Sequence, residues 1–238
     1  MKITTSLKEY IDEGKLVDFG VLNSLKLTSE NSLRVTLARF VKKGEIYSPL
    51  KGLYVSKRVD PFWVATAIFP GYISLTSALH LHHLSDEYPF TIFVGSEKRK
   101  KLKLGNYEVH YFVAKSYEGM ERDQYQLASI EKAIYDSLLH PELVGYPKII
   151  KALHFAPIIA GKFITLCRNE RNAFFQRLGY MLSILPERDE EKERLIKYCR
   201  KRTKANVYLQ GRKTGRYVSE WKIIDNMGKE VLLSWWEQ

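Results

Sequence analysis

Two cysteines, Cys167 and Cys199, are all that 238 residues contain, and neither has a second Cys or a His at metal-ligand spacing. A disulfide framework and a thiolate metal site are therefore excluded as organising devices, and two reduced, buried thiols are expected. No apolar run is long enough for a bilayer: the best, Ala152 to Leu166, is broken by His154, by Lys162 and by the stretch from Pro157 to Gly161. The first residues carry Lys8, Glu9, Asp12 and Glu13 where a signal peptide needs an apolar segment, so a cytoplasmic location and no membrane partner are expected. A glycine-rich phosphate loop, a Gly-x-Ser-x-Gly nucleophile turn and a Cys-His pair in a recognisable context are also missing. No catalytic residue, metal or cofactor is expected, and there is no internal repeat or low-complexity tract.

What the chain does have is basic charge in particular places. At 45% hydrophobic and 27% charged it has the composition of a folded protein, and its length suits two ordinary domains. The net charge of +11 is concentrated. Residues 1–58 hold 11 basic and 6 acidic side chains, and residues 192–216 hold 10 and 1, which leaves the remainder slightly acidic. A phosphate-binding protein places cations in this way.

The stretch from Thr28 to Arg58 carries the strongest local pattern. Thr28, Ser29 and Glu30 suit a helix cap and first turn, where unpaired N–H groups want acceptors. Leu33, Leu37, Phe40 and Val41 then fall on one helical stripe, with Asn31, Ser32, Val35, Arg39 and Lys42 opposite and Arg34 and Thr36 at its flanks. Gly44 stops the helix. The period then becomes alternating: Glu45 to Ser48, a turn at Pro49-Leu50-Lys51-Gly52, and Leu53 to Ser56 running into Lys57-Arg58. With two short helical patterns upstream, Thr5 to Ile11 and Asp18 to Leu27, this reads as a winged helix-turn-helix over residues 1–58. Asn31, Ser32, Arg34, Val35 and Arg39 are the candidate base contacts, because Arg and Asn pair bidentately with purine edges and a small apolar group meets a thymine methyl. Lys42, Lys43, Lys51, Lys57 and Arg58 are the candidate phosphate contacts.

The remainder, residues 59–238, is expected to form a larger mixed α/β domain, making the fold class α+β. Asp60-Pro61 opens a short apolar helix from Phe62 to Phe69. Phe90 to Val94 and Tyr107 to Val113 are strand-like and joined by a basic loop, Lys98-Arg99-Lys100-Lys101. Helical patterns follow around Ile130 to Leu138, Pro147 to Phe155, Gly161 to Arg168 and Phe174 to Leu185. A helix opened by Asp189 is expected to turn Leu195, Ile196 and Cys199 inward and Lys192, Arg194, Lys197, Arg200, Lys201 and Arg202 outward. Asn206 to Gln210 and Tyr217 to Ile224 are the last strand-like pieces. Lys197, Arg200, Lys201, Lys204, Arg212, Lys213 and Arg216 together form a candidate second basic surface.

Two catalytic or metal readings are weaker. His80, His82 and His83 do not share one helical face and have no carboxylate or thiol to complete a site. Glu220-Trp221-Lys222 matches the Glu-x-Lys of Mg²⁺-dependent nucleases, but the same triplet pattern recurs at Glu13 to Lys15 and Glu190 to Lys192.

The order of motifs resembles the AbiEi-type antitoxin and transcriptional-regulator family of type IV toxin-antitoxin systems. The matching residues are Leu37 to Gly44 with Lys51 to Val55, then Tyr72 to Leu79 followed by His83-Leu84, the strand pair with its basic loop, Ala128 to Asp136, and Gln176 to Leu182. One departure stands out: the family pattern usually has glycine where His83 precedes Leu84. The resemblance implies a double-stranded-DNA-binding autorepressor, acting on repeats in its own promoter and encoded beside a nucleotidyltransferase-like toxin that it neutralises without necessarily touching it. A winged-helix module for protein or RNA contact and a Mg²⁺ nuclease are the alternatives. The oligomeric state is not legible.

Overall fold

The computed structural model describes residues 3–122, 124–211 and 214–236. The chain is mixed α/β with several sheets and divides into two compact units. The first comprises residues 1–73, 90–113 and 123–126, and the second residues 74–89, 114–122 and 127–238. The boundary expected after Arg58 falls inside the first unit.

The first unit begins with α1 (Ile3–Gly14), β1 (Leu16–Asp18), α2 (Phe19–Ser24), α3 (Glu30–Lys42), β2 (Ile46–Leu50) and β3 (Leu53–Ser56). The starts of α2 and α3 have a sequence cause. The Asp18 carboxylate accepts from Gly20 N–H at 2.6 Å, and Ser29 Oγ accepts from Ser32 N–H at 3.4 Å, in the N-cap manner. The α3 stripe is buried as its period predicts: Leu33, Leu37 and Phe40 join Leu7, Ile11, Val17, Leu22 and Ile46 in one core, with Tyr10, Phe19, Leu25, Val41 and Tyr54 packed on it. Each such side chain contributes about 1.5–3 kcal/mol relative to exposure. The three strands form an antiparallel sheet in the order β1-β3-β2, with Val17 opposite Tyr54 and Tyr47 opposite Val55. β1 is the element that the sequence pattern did not announce.

The same unit continues with α4 (Pro61–Ile68), β4 (Tyr72–Ile73), β5 (Thr91–Ser96), β6 (Lys100–Leu104) and β7 (Tyr107–Val113). Asp60 caps α4 at Phe62 N–H, 2.9 Å away, with Pro61 at the first helical position. These strands run in the order β6-β7-β5-β4; β5 and β7 are parallel, and the other two pairings are antiparallel. Half of the stretch expected as a basic loop is therefore strand, since Lys100 and Lys101 open β6. Gly105, in the turn after β6, holds a left-handed φ of 61°, and a Cβ there would fall 2.6 Å from the Tyr47 ring. Tyr47 of β2 thus lies on bare backbone at the tip of the β6–β7 hairpin.

The second unit holds α5 (Leu75–Leu81), β8 (Met120–Arg122), most of β9 (Gln126–Ala128), α6 (Ile130–Leu139), α7 (Pro141–Val144), α8 (Tyr146–Phe155), α9 (Ala160–Cys167), α10 (Asn172–Ser183) and α11 (Glu190–Arg200), followed by β10 (Val207–Tyr208), β11 (Arg216–Val218), β12 (Ile223–Asp225) and α12 (Lys229–Leu232). The last three strands form a small sheet in the order β10-β12-β11. At the centre of α6, Asp136 accepts from Lys132 Nζ at 2.7 Å and from Ser74 Oγ at 2.8 Å, all three residues being buried. Burying an ion pair costs desolvation that only such complete hydrogen bonding offsets. α9 has no cap of its own at Ile159; instead the Glu131 carboxylate from α6 accepts from Ile159 N–H at 3.0 Å and the Glu191 carboxylate from α11 accepts from Ala160 N–H at 2.8 Å.

Two expectations are corrected here. Lys192 points inward: it is buried, and its Nζ donates to Ala156 O at 3.2 Å and Asp189 Oδ2 at 2.5 Å. Residues 217–224 are not one strand, because a 3₁₀ turn from Ser219 to Trp221 and a left-handed Lys222 (φ 47°) separate β11 from β12. Trp221 is fully buried against Gly179 of α10, and its Nε1 donates to Ser183 Oγ at 3.0 Å.

Candidate nucleic-acid interface

α3 turns one face into the core and the other to solvent. Because Leu33, Leu37 and Phe40 anchor it, 100° per residue carries Asn31, Val35, Arg39 and Lys42 to the opposite side. All four are exposed, as is Ser32, and Val35 leaves half of its surface in water. Ser32 Oγ meets Ser29 Oγ at 3.0 Å, while Asn31 and Arg39 have no hydrogen-bonded or ionic side-chain partner among the described residues. An isolated Val with half its surface in water needs no explanation, but an Asn and an Arg on the same uncommitted face leave five N–H donors and an amide fork available.

Arg34 is held differently. Its guanidinium donates to Glu30 Oε1 at 2.7 and 3.1 Å and lies 4.2 Å over the Phe19 ring of α2. The salt bridge is exposed and worth about 0.3–0.5 kcal/mol, so a phosphate can displace it, whereas the ring contact fixes the direction in which the side chain leaves the helix. Burial pushes the Tyr54 phenol up, opposed in part by this same Arg34 charge.

The candidate phosphate contacts are all at the surface. Lys42 ends α3 and Lys43 is its C-cap, with Gly44 beyond at φ 65°. Lys51 sits in the two-residue turn between β2 and β3, at the hairpin tip. Lys57 and Arg58 follow β3, where Arg58 lies 3.6 Å from the Asp12 carboxylate and so is partly neutralised. Lys42, Lys43, Lys51 and Lys57 have no ion pair among the described residues.

Of the second basic surface, Arg212 and Lys213 lie outside the described residues. Lys197, Lys201, Lys204 and Arg216 are exposed and without an ion pair among the described residues, but Arg200 is paired with Glu220. The neighbouring Arg202, which is not one of that set, is stacked 4.6 Å from the Phe175 ring and donates to Tyr198 Oη at 2.8 Å. The surface is thus narrower than the raw charge count, because the charge of Arg200 is matched by Glu220.

The Glu-x-Lys triplet is dispersed: Glu220 pairs with Arg200, Trp221 is core, and Lys222 Nζ donates to Lys204 O at 3.0 Å. The three histidines diverge as well. His82 Nε2 is 2.7 Å from Ala128 O, His80 meets the Tyr88 ring edge-on at 5.3 Å, and His83 is exposed at φ 58°. Among the described residues no three His, Cys, Asp or Glu side chains are grouped to hold a metal.

The cations that motif reading undervalued are those of β6 and of the turn that leads into it. Lys98, Arg99, Lys100, Lys101 and Lys103 are exposed, and none has an anionic partner among the described residues. Their signal was the alternation of Lys101 and Lys103 with Leu102 and Leu104, a strand pattern inside what reads as a charge run.

No protein-family model matches this chain, and no curated protein matches it.

Proposed function

We propose that residues 1–58 form a winged helix-turn-helix and that the protein is a sequence-specific double-stranded-DNA-binding transcriptional repressor, acting as the antitoxin of a type IV toxin-antitoxin pair. The observation that carries the DNA-binding part is the outer face of α3, where Asn31, Val35, Arg39 and Lys42 stand clear of the core on a helix whose ends are capped. The order of three helices and a three-stranded sheet ending in a lysine-tipped hairpin supports the same reading. In it α3 enters the major groove, Arg39 and Asn31 meet base edges, and Lys42, Lys51 and Lys57 meet phosphates.

The antitoxin part rests on the family resemblance, and the one apparent departure from that family favours it. His83 occupies the left-handed backbone (φ 58°) that glycine adopts most easily, at the position where the family carries glycine. A left-handed His83 is compatible with the glycine that the family usually has there. Lys197, Lys201 and Lys204 then serve as a secondary surface for an acidic partner.

The test compares binding to a duplex from upstream of the protein's own gene with binding to a scrambled duplex. Arg39→Ala is expected to lose about 1–3 kcal/mol on the former and little on the latter, while Lys42→Ala weakens both alike. Equal losses for Arg39→Ala on the two duplexes would remove it as a base reader. Co-expression with the neighbouring gene product tests the antitoxin role, which fails if growth does not depend on this protein.

A further inference from the structure

The β6 strand and the turn leading into it carry a charge arrangement that an edge strand does not need. Natural sheets blunt their edges with one or two lysines, which prevent pairing with another chain. Here Glu97 is followed by Lys98, Arg99, Lys100, Lys101 and Lys103, five cations with no carboxylate within ion-pairing distance among the described residues. Only Lys100 is otherwise engaged, 3.9 Å over the Phe69 ring on the packed face of the sheet. Lys101 and Lys103 alternate away from it, opposite His110 and Glu108 of β7.

The position of this strand is as informative as its charge. The Tyr47 ring lies on Gly105 at the end of β6, so β2 and the β6–β7 hairpin meet within the first unit. Lys51 is four residues from that contact along one strand, and Lys101 is four residues from it along the other. At about 3.3 Å per residue, each lies roughly 13 Å from the Tyr47–Gly105 contact, which keeps the two groups within one turn of duplex, about 34 Å.

We infer that the exposed face of β6 is a second phosphate-binding surface continuous with the hairpin tip, gripping the backbone of the same duplex beside the groove that α3 reads. The occupant is identified by charge complementarity: a uniform polyanion suits a row of flexible cations that present no pocket and no hydrogen-bond fork for a particular base. This inference rests on the DNA-binding reading above, and it adds affinity and salt dependence without sequence preference.

The test uses the full chain and a fluorescein-labelled 24-base-pair duplex of arbitrary sequence, with binding followed by anisotropy at several salt concentrations. Three variants are compared with the parent: Lys98→Gln/Lys101→Gln/Lys103→Gln, the same three positions changed to Arg, and Lys42→Gln/Lys51→Gln. If Lys98, Lys101 and Lys103 each meet one phosphate, the triple Gln variant flattens the slope of log K against log [salt] by about 2.7, so that between 50 and 200 mM salt the parent loses about 40-fold more affinity than the variant. The triple Arg variant should keep the parent slope. Should the triple Gln variant aggregate because the edge has lost its guard, Lys103→Gln alone should still flatten the slope by about 0.9. A parent slope retained by the soluble Gln variants, with Lys42→Gln/Lys51→Gln weakened, would overturn this inference and leave the α3 reading intact. Flattening in the β6 variants with no effect of Lys42→Gln/Lys51→Gln would sustain β6 and remove the α3 and hairpin contacts. A parent chain that binds no duplex would overturn both.

Discussion

Alanine in the middle of a helix is normally worth about 0.5–1 kcal/mol over glycine, so Gly179→Ala in α10 would be expected on propensity alone to stabilise the protein. The packing reverses the sign. A Cβ at position 179 would fall 2.1 Å from Trp221 Cζ3 and 2.4 Å from Cη2, where ordinary carbon contacts are about 3.5–4 Å. The indole would have to retreat by more than about 1 Å, and it is fully buried. Its Nε1 is bonded to Ser183, while the Trp221 carbonyl accepts from Gln176 Nε2 at 2.8 Å. Overpacking of this kind costs about 1–3 kcal/mol, which exceeds the propensity gain, so a net loss of roughly 1–2 kcal/mol is expected. Urea unfolding followed by tryptophan fluorescence and far-ultraviolet circular dichroism should show a lower midpoint at unchanged slope. In a Trp221→Leu background the alanine should cost far less, because its obstacle is gone. A raised midpoint for Gly179→Ala in the parent chain would refute the account of how α10 meets the 3₁₀ turn.

Phe40→Ala removes a core ring from beneath α3 and should cost about 3–5 kcal/mol, with DNA binding lost through unfolding; retention of the parent melting temperature would mean that the α3 faces are reversed. Lys132→Ala leaves the buried Asp136 carboxylate without its cation and should cost a similar 3–5 kcal/mol, while Lys132→Met combined with Asp136→Leu should cost much less; equal losses would argue against an ionic core. His154, set among Phe155, Trp235 and Trp236, has its pKa lowered by burial, against opposition from Glu187. The unfolded chain therefore takes up that proton first, so the contribution is present above about pH 6.5 and lost as pH falls below it. Between pH 7.5 and 5.5 the melting temperature of the parent should fall further than that of His154→Leu, and parallel falls would refute the assignment.

Local patterns made α3 legible, because its apolar period, Ser29 cap and Gly44 stop all lie within one stretch. β1 was not, since three residues carry no period and the strand exists only through pairing with β3. Lys192 shows the same limit in a different form. Helical spacing sets it beside Leu195 and Cys199, but its charge argues for solvent; of the two partners that admit it, Asp189 is local, whereas Ala156 O comes from a distant segment. Likewise the outward face of α3 could be read from sequence, whereas the commitment of Arg34 to Phe19 and of Arg200 to Glu220 could not. The turn at Ser219 to Trp221 was hidden because Tyr217 to Ile224 alternates well enough to pass for a strand.

The borrowed caps of α9 tie three helices into one event. Its first amides are satisfied only when α6 supplies Glu131 and α11 supplies Glu191, residues 28 and 31 positions away from the amides they serve. α9 alone is eight residues, too short to persist by itself in water. It therefore has no route to opening that spares its neighbours: freeing either carboxylate leaves an amide bare, and the helix has no local reserve to absorb the loss. In hydrogen exchange, the amides of Ile159 and Ala160 should report the slow collective opening of α6 and α11 rather than the fraying of a short helix end, joining segments far apart in the chain into one cooperative unit.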